Sequence, residues 1–235
     1  GQGCAGCNGR RGALRPIGAG VGSLGGRLVS VIGSYRLRCR RKRLLARALL
    51  RRRDLRSVKN RTASIGAEPI LLFATLRNER VRLPYFLRYY RELGVEHFLI
   101  VDNGSDDGSA DYLAQQPDVS VWSTGASYKA SRFGMDWIMG LLRRYGHGHW
   151  CLIVDVDEFL IYPFCETRPL RALTDWLDAS QIRAFSAMLL DMYPKGPIQD
   201  QPYREGQNPF EIAEWFDSGN YSIGRNWAFG NLWIQ

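Results

Sequence analysis

Trp150-Cys-Leu-Ile-Val-Asp155-Val-Asp157-Glu158-Phe-Leu-Ile-Tyr162 is an apolar run interrupted by three carboxylates. Its short, β-rich beginning predicts a strand buried on both faces, the type found inside parallel sheets, with the acids at the strand's carboxyl end. In open α/β sheets that end is where ligands bind. Residues i and i+2 of an extended segment point the same way, so Asp155 and Asp157 are expected to share one divalent cation. Two hard oxygen ligands suit Mg2+ or Mn2+ carried by a diphosphate; a strand that merely ends in an acidic turn writes the same letters.

Outward from this strand, the chain alternates apolar runs of strand length with helical patterns. Just upstream, Phe133, Trp137, Ile138, Leu141 and Leu142 mark a helix. Its start carries Lys129 and Arg132, two cations placed either to meet a diphosphate or to stay solvated. His147 and His149 fall at the opposite end of the strand from the acids and read as loop residues. Pro69 to Thr75 and Val95 to Val101 are two further strands, joined by a helix over Leu83, Phe86, Leu87, Tyr90 and Leu93. Pro84 stands in the first turn of that helix and Gly94 at its end. This order is a βαβ unit, which predicts parallel strands and a right-handed crossover. The second strand runs into Asp102-Asn-Gly-Ser-Asp106-Asp107-Gly-Ser109. A carboxylate there can accept from ribose hydroxyls or a base N–H, or the cluster can be a plain βα loop with Ser109 as N-cap. Val119 to Trp122 is a third short strand. Beyond the acids, Pro169 to Leu177 reads as a helix and Ile182 to Met192 as another strand. The Pro-, Gly- and aromatic-rich final stretch suits loops over a cleft.

Charge divides the chain. Residues 1–65 hold 17 Lys and Arg against one acid, Asp54, whereas residues 66–235 hold 15 against 22. The basic character therefore belongs to the N-terminal segment. Residues 1–34, rich in Gly, Arg and small residues, are expected to be disordered. Residues 35–65 are expected to form a basic amphipathic helix and linker, with Leu37, Leu44, Leu45, Ala48, Leu49 and Leu55 along one stripe. Such a helix can lie on an anionic membrane surface, bind nucleic acid or pack its stripe on the domain. The lack of interleaved aromatics speaks against single-stranded nucleic acid. Five cysteines without framework spacing, and no apolar window of spanning length, point to a cytoplasmic protein, peripheral at the inner membrane face if the helix docks there.

Three segments together resemble a family 2-type glycosyltransferase of the bacterial subgroup. They are Phe73-Ala-Thr-Leu-Arg77-Asn78-Glu79, Gly94-Val-x-His-Phe-x-Ile-Val-Asp102-Asn-x-Ser-Asp106-Asp107-Gly-Ser109, and Asp155-Val-Asp157-Glu158-Phe, with Leu83-Pro84-x-Phe86-Leu-x-Tyr-Tyr between the first two. The resemblance covers residues 69–235 and implies a GT-A fold, a Rossmann-like α/β domain with a mostly parallel sheet flanked by helices. It also implies metal-dependent, inverting transfer of a sugar from a nucleotide-sugar to a hydroxyl of a saccharide or lipid-linked acceptor, in bacterial polysaccharide or envelope glycan synthesis. Carried onto this chain, Arg77, Asn78, Glu79 and Asp102 would bind the nucleotide, alongside Lys129 and Arg132. Asp155 and Asp157 would hold Mn2+ or Mg2+, and Glu158 stands where a third acid often follows. The base would come from Asp191, Glu214 or Asp217. A further His ligand would fall past Gln235, so the domain, residues 66–235, is expected to be C-terminally incomplete. The competing expectation is a non-catalytic α/β binding module whose Arg-rich arm meets anionic lipid or nucleic acid.

Overall fold

The structure, a computed structural model, describes residues 24–197, 202–217, 219, 223–225 and 232–234. Five strands form one sheet: β1 (Arg56–Lys59), β2 (Leu71–Leu76), β3 (His97–Asp102), β4 (Val119–Ser123) and β5 (Cys151–Ile153), in the order β1-β4-β3-β2-β5. Neighbours among β2 to β5 run parallel, and β1 closes one edge antiparallel to β4. The helices are α1 (Leu24–Arg51), α2 (Leu83–Leu93), α3 (Ser109–Gln115), α4 (Met135–Tyr145) and α5 (Leu170–Ala179).

All six residues of β2 and all six of β3 are buried, which is why both read as continuous apolar runs. Alternation then sorts them between two cores. Leu72, Ala74, Leu76, Phe98 and Ile100 meet Phe86, Leu87 and Tyr90 of α2 on one face, whereas Leu71, Phe73, Leu99 and Val101 meet Trp137, Ile138 and Leu141 of α4 on the other. Gly94 ends α2 at φ 101°, where its amide reaches back to the carbonyls of the last turn. The expected α/β class and mostly parallel sheet are thus present.

Four expectations change. Residues 1–23 lie outside the described residues, but Leu24–Ser34, expected to be disordered, are the start of α1. The Arg- and Leu-rich sequence that follows is strongly helix-forming, and an established helix propagates more easily than it starts. The boundary expected between residues 65 and 66 also moves. The described residues divide between Arg40 and Arg41, so the last turns of α1 belong with the sheet. Ala48 is buried there and Arg47 reaches Asp136 of α4, while β1 occupies the stretch read as a linker. Third, β5 is a three-residue edge strand with Ile153 45% exposed, not a strand buried on both faces. Only β2 pairs with it among the described residues. Fourth, Ile182 to Asp191 is exposed and without regular structure. An apolar run needs a ladder partner to become a strand, and only its end, β6 (Met192–Tyr193), finds one, antiparallel to β7 (Trp215–Phe216). A last antiparallel pair joins β8 (Ile223–Arg225) to β9 (Leu232–Ile234). Among the described residues no helix is long and apolar enough to cross a membrane.

The loop between β4 and α4 carries three successive left-handed residues, Arg132 and Phe133 at φ 56° and Gly134 at φ 76°. A Cβ on Gly134 would stand 2.8 Å from Thr75 Oγ1 at the end of β2, so both the dihedral and the space demand glycine. Gly134→Ala should therefore cost about 2–3 kcal/mol in urea unfolding. Gly148→Ala, equally left-handed but in open space, should cost only about 1 kcal/mol. Equal losses would mean that the close approach to Thr75 is unimportant.

Candidate functional site

Parallel strands that end together leave a crevice bounded by the loops that follow them. Here β2 and β3 end in register, Leu76 beside Asp102. The crevice is a cleft of about 360 Å3 lined by Thr75, Leu76, Arg77, Glu79, Asn103, Tyr128, Asp155, Val156 and Asp157. Segments after four of the five strands of the sheet thus converge on one space.

Asp155 and Asp157 reach it by a route different from the expected one. The strand has ended at Ile153, and residues 155–158 form a turn in which the Glu158 amide donates to the Asp155 carbonyl at 3.1 Å. The Glu158 carboxylate in turn accepts the Asp155 amide at 3.0 Å. Val156 is buried beneath, and the aspartates on either side of it are exposed toward the cleft. From α2, the buried Tyr90 hydroxyl donates to the Glu158 carbonyl and accepts from the Leu160 amide. The third acid is therefore a brace for the turn. Partial desolvation, then the charges of Glu158 and Asp157, push the Asp155 carboxyl above the usual aspartate range.

Of the residues expected to bind nucleotide, Arg77 and Glu79 line the cleft, and Glu79 accepts a 2.6 Å bond from Arg82. Partial burial opposes the charge of Arg82, and Glu79 together with Asp157 outweighs it, so its pKa rises. Asn78 sits outside the lining at φ 57°, a conformation asparagine tolerates, with its amide on Ser105 Oγ and its Oδ1 on the Asp106 amide. Asp102, outside the lining, is 2% exposed; one oxygen accepts from the Ser105 amide at 3.2 Å, while Oδ1 is buried without a partner among the described residues. Lys129 is exposed and outside the lining. Arg132 turns to Asp136 at 3.5 Å.

The expected bases are not brought to the cleft. Asp191 is exposed just before β6, and Asp217, just after β7, accepts from Tyr193 at 2.9 Å. Glu214 is likewise exposed and outside the lining. Ser109 is not the N-cap of α3 but its first residue. Its hydroxyl donates to Asp107 and accepts the Glu79 amide, so it ties the loop after β3 to the loop after β2. Desolvation raises the Asp107 carboxyl's pKa, and the bonds from Ser109 and the Arg80 amide more than reverse this, leaving it below the usual range.

Sequence reasoning missed Thr75, Asn103 and Tyr128. Asn103 was legible as the neighbour of Asp102 in a turn cluster; its side chain holds the carbonyls of Thr124 and Ala126 at 3.0 Å each. Tyr128 had only the weak signal of an aromatic in a Ser- and Gly-rich loop. Among the described residues no three His, Cys, Asp or Glu side chains gather to hold a metal ion. Among the described residues the Asp155 and Asp157 carboxylates in the cleft have no hydrogen-bond partner.

Because its folded pKa is raised, Asp155 costs stability once ionised. That cost is absent at pH values below the ordinary aspartate range and grows as pH rises through the folded value. Asp155→Asn should therefore raise the urea midpoint at pH 7, with the gain vanishing toward pH 3. A gain independent of pH would refute the electrostatic origin.

No protein-family model matches the chain, and no solved structure matches it. A protein of rice, Oryza sativa subsp. japonica, described as a glycosyltransferase family 92 protein, is similar to it at 26% identity over 109 residues. The alignment takes in 43% of this chain, and the chain spans only 18% of that relative's length. The similarity supports the glycosyltransferase expectation at the level of the general class. It carries neither family 2 nor a bacterial origin, since the relative is a family 92 protein of a plant.

Proposed function

We propose that the chain forms the donor-binding part of a glycosyltransferase that moves a sugar from a nucleotide-sugar to an acceptor hydroxyl. The observation that carries this reading is the meeting of Arg77, Asp155 and Asp157 in one cleft at the carboxyl ends of parallel strands. The mostly parallel sheet flanked by helices is in keeping with a GT-A domain, and the distant plant relative with glycosyl transfer.

The donor set fits a divalent cation delivered with a diphosphate. Asp155 and Asp157 supply two hard oxygens, Glu158 is already engaged, and the uncompensated repulsion at Asp155 is what an incoming cation would relieve. Mg2+ and Mn2+ accept such partial protein shells, completing them with phosphate oxygens and water. When bound, such a cation neutralises charge on the departing diphosphate. Arg77 contributes a second positive charge along the same cleft. Asp102 Oδ1, buried and without a partner among the described residues, is the proposed nucleoside acceptor. An inverting displacement also needs a carboxylate base on the acceptor side, for which Asp191 and Asp217 remain the proposed residues.

The test is a thermal-shift panel of UDP-, GDP-, CMP- and dTDP-sugars with and without Mn2+. One donor should stabilise the full chain only with metal, and Asp155→Ala or Asp157→Ala should abolish that effect without unfolding the protein. Nucleotide-independent binding of nucleic acid, retained in chelator, would instead favour the non-catalytic module.

A peripheral site on anionic membrane is proposed for α1. Arg36, Arg38, Arg40, Arg41, Lys42 and Arg43 are all exposed, together with Tyr35 and Leu37. Each cation near such a surface contributes on the order of 1 kcal/mol. Reversing Arg36, Arg38, Arg40 and Lys42 to Glu is preferable to deletion, because residues 41–63 are part of the fold. The full chain should co-sediment with anionic vesicles, and the reversed variant should not. Pelleting that ignores lipid charge would end the membrane assignment.

A further inference from the structure

Lys129 and Arg132 were the residues of the β4–α4 loop with the charge to meet a diphosphate, yet it is Tyr128 that lines the cleft. The loop that carries it is held from several sides. The Tyr128 carbonyl accepts from Ser131 Oγ at 2.7 Å and from the Phe133 amide at 2.9 Å, and the two aromatic rings meet edge to face at 5.7 Å. Asn103, itself in the cleft, holds the Ala126 carbonyl. From behind, Arg47 of α1 binds the Ala130 carbonyl at 3.0 Å and makes two bonds to the fully buried Asp136. A loop with three left-handed residues in succession persists only when its surroundings over-determine it. These contacts do so, and they leave the phenol among the cleft walls.

We propose that Tyr128 is a donor-binding residue, its hydroxyl giving a hydrogen bond to a phosphate oxygen of a nucleoside diphosphate in the cleft. The inference rests on the reading of the site as a nucleotide-sugar cleft. Three groups facing one space would divide the labour there. Asp155 and Asp157 take the cation, Arg77 brings positive charge, and Tyr128 supplies a neutral donor. A phenol is neutral near pH 7 and carries an O–H able to donate. A neutral donor suits this position because a third cation beside the two acids would pair with them and compete with the metal. Lys129 and Arg132, one exposed and one committed to Asp136, are spared that conflict.

Tyr128→Phe removes the hydroxyl and keeps the ring against Phe133, so the loop should survive. Calorimetric titration of the full chain with UDP, GDP, CDP and dTDP in saturating Mn2+ identifies the diphosphate that binds. For that nucleotide the variant should lose about fivefold to tenfold in affinity. Titration of Mn2+ alone should be unchanged, and so should the unfolding midpoint. Equal diphosphate affinity in the two proteins would overturn the proposal, as would a weakened Mn2+ titration, which would place the role of Tyr128 on the acids. If the unsubstituted chain binds none of the four diphosphates, the reading of the whole cleft fails, and this contact with it.

Discussion

The ends of parallel strands present backbone amides that the ladder cannot pair, and in this protein side chains accept from three of them. Where β2 gives way to its loop, the amides of Asn78, Glu79 and Arg80 are taken by Ser105, Ser109 and Asp107 in turn. Ser105 and Asp107 lie in the loop after β3, and Ser109 is the first residue of α3 that follows it. The two loops are thus fastened to each other at the level where the strands stop, and everything placed on them inherits that alignment. Arg77 and Asn103 face one space because this set of bonds fixes the separation of their backbones. At the half-buried bond from Glu79 the constraint is one of desolvation, because an amide left unpaired against protein costs free energy comparable to a lost hydrogen bond.

The cost of the arrangement is electrostatic. Asp155, Asp157, Glu158 and Glu79 crowd one rim, and Arg82 offsets only part of that charge. Natural sites commonly hold such unfavourable charge where a ligand of opposite sign is to be received. The apolar architecture beneath, with β2 and β3 buried on both faces, is what lets the sheet bear it.

How much of this was readable in the letters follows from what each letter has to satisfy. Leu71 to Leu76 and His97 to Asp102 announced themselves because burial on both faces admits few polar residues. Pro84 and Gly94 bracketed α2 for reasons internal to a helix. The end of β5 was not readable in this way. The run Cys151 to Val154 is as apolar as an interior strand, but edge position depends on strand order, which period and composition do not encode. The same limit hid β1, whose four exposed residues have no apolar pattern and become a strand only because β4 offers an edge. In the cleft, charge marked Arg77, Asp155 and Asp157, whereas Tyr128 is placed by a loop whose shape is set by Arg47, many residues away. Lys129 and Arg132 lie outside the lining for the same reason: a charge is visible in the sequence, and the direction it faces is not.

The turn at residues 155–158 makes its three acids unequal in a way that a string of letters conceals. Asp155 and Asp157 line the cleft, and Glu158 serves backbone geometry, since its carboxylate occupies the amide of Asp155. Replacement of Glu158 therefore alters both the charge felt at Asp155 and the angle from which that side chain enters the cleft. Effects of substitutions at the two positions cannot be summed, because residues sharing a hydrogen bond are energetically coupled. In evolutionary terms this is epistasis confined to four residues: which residue is tolerated at 158 depends on what 155 must do, so drift at one position is permitted only along paths that keep the other in place.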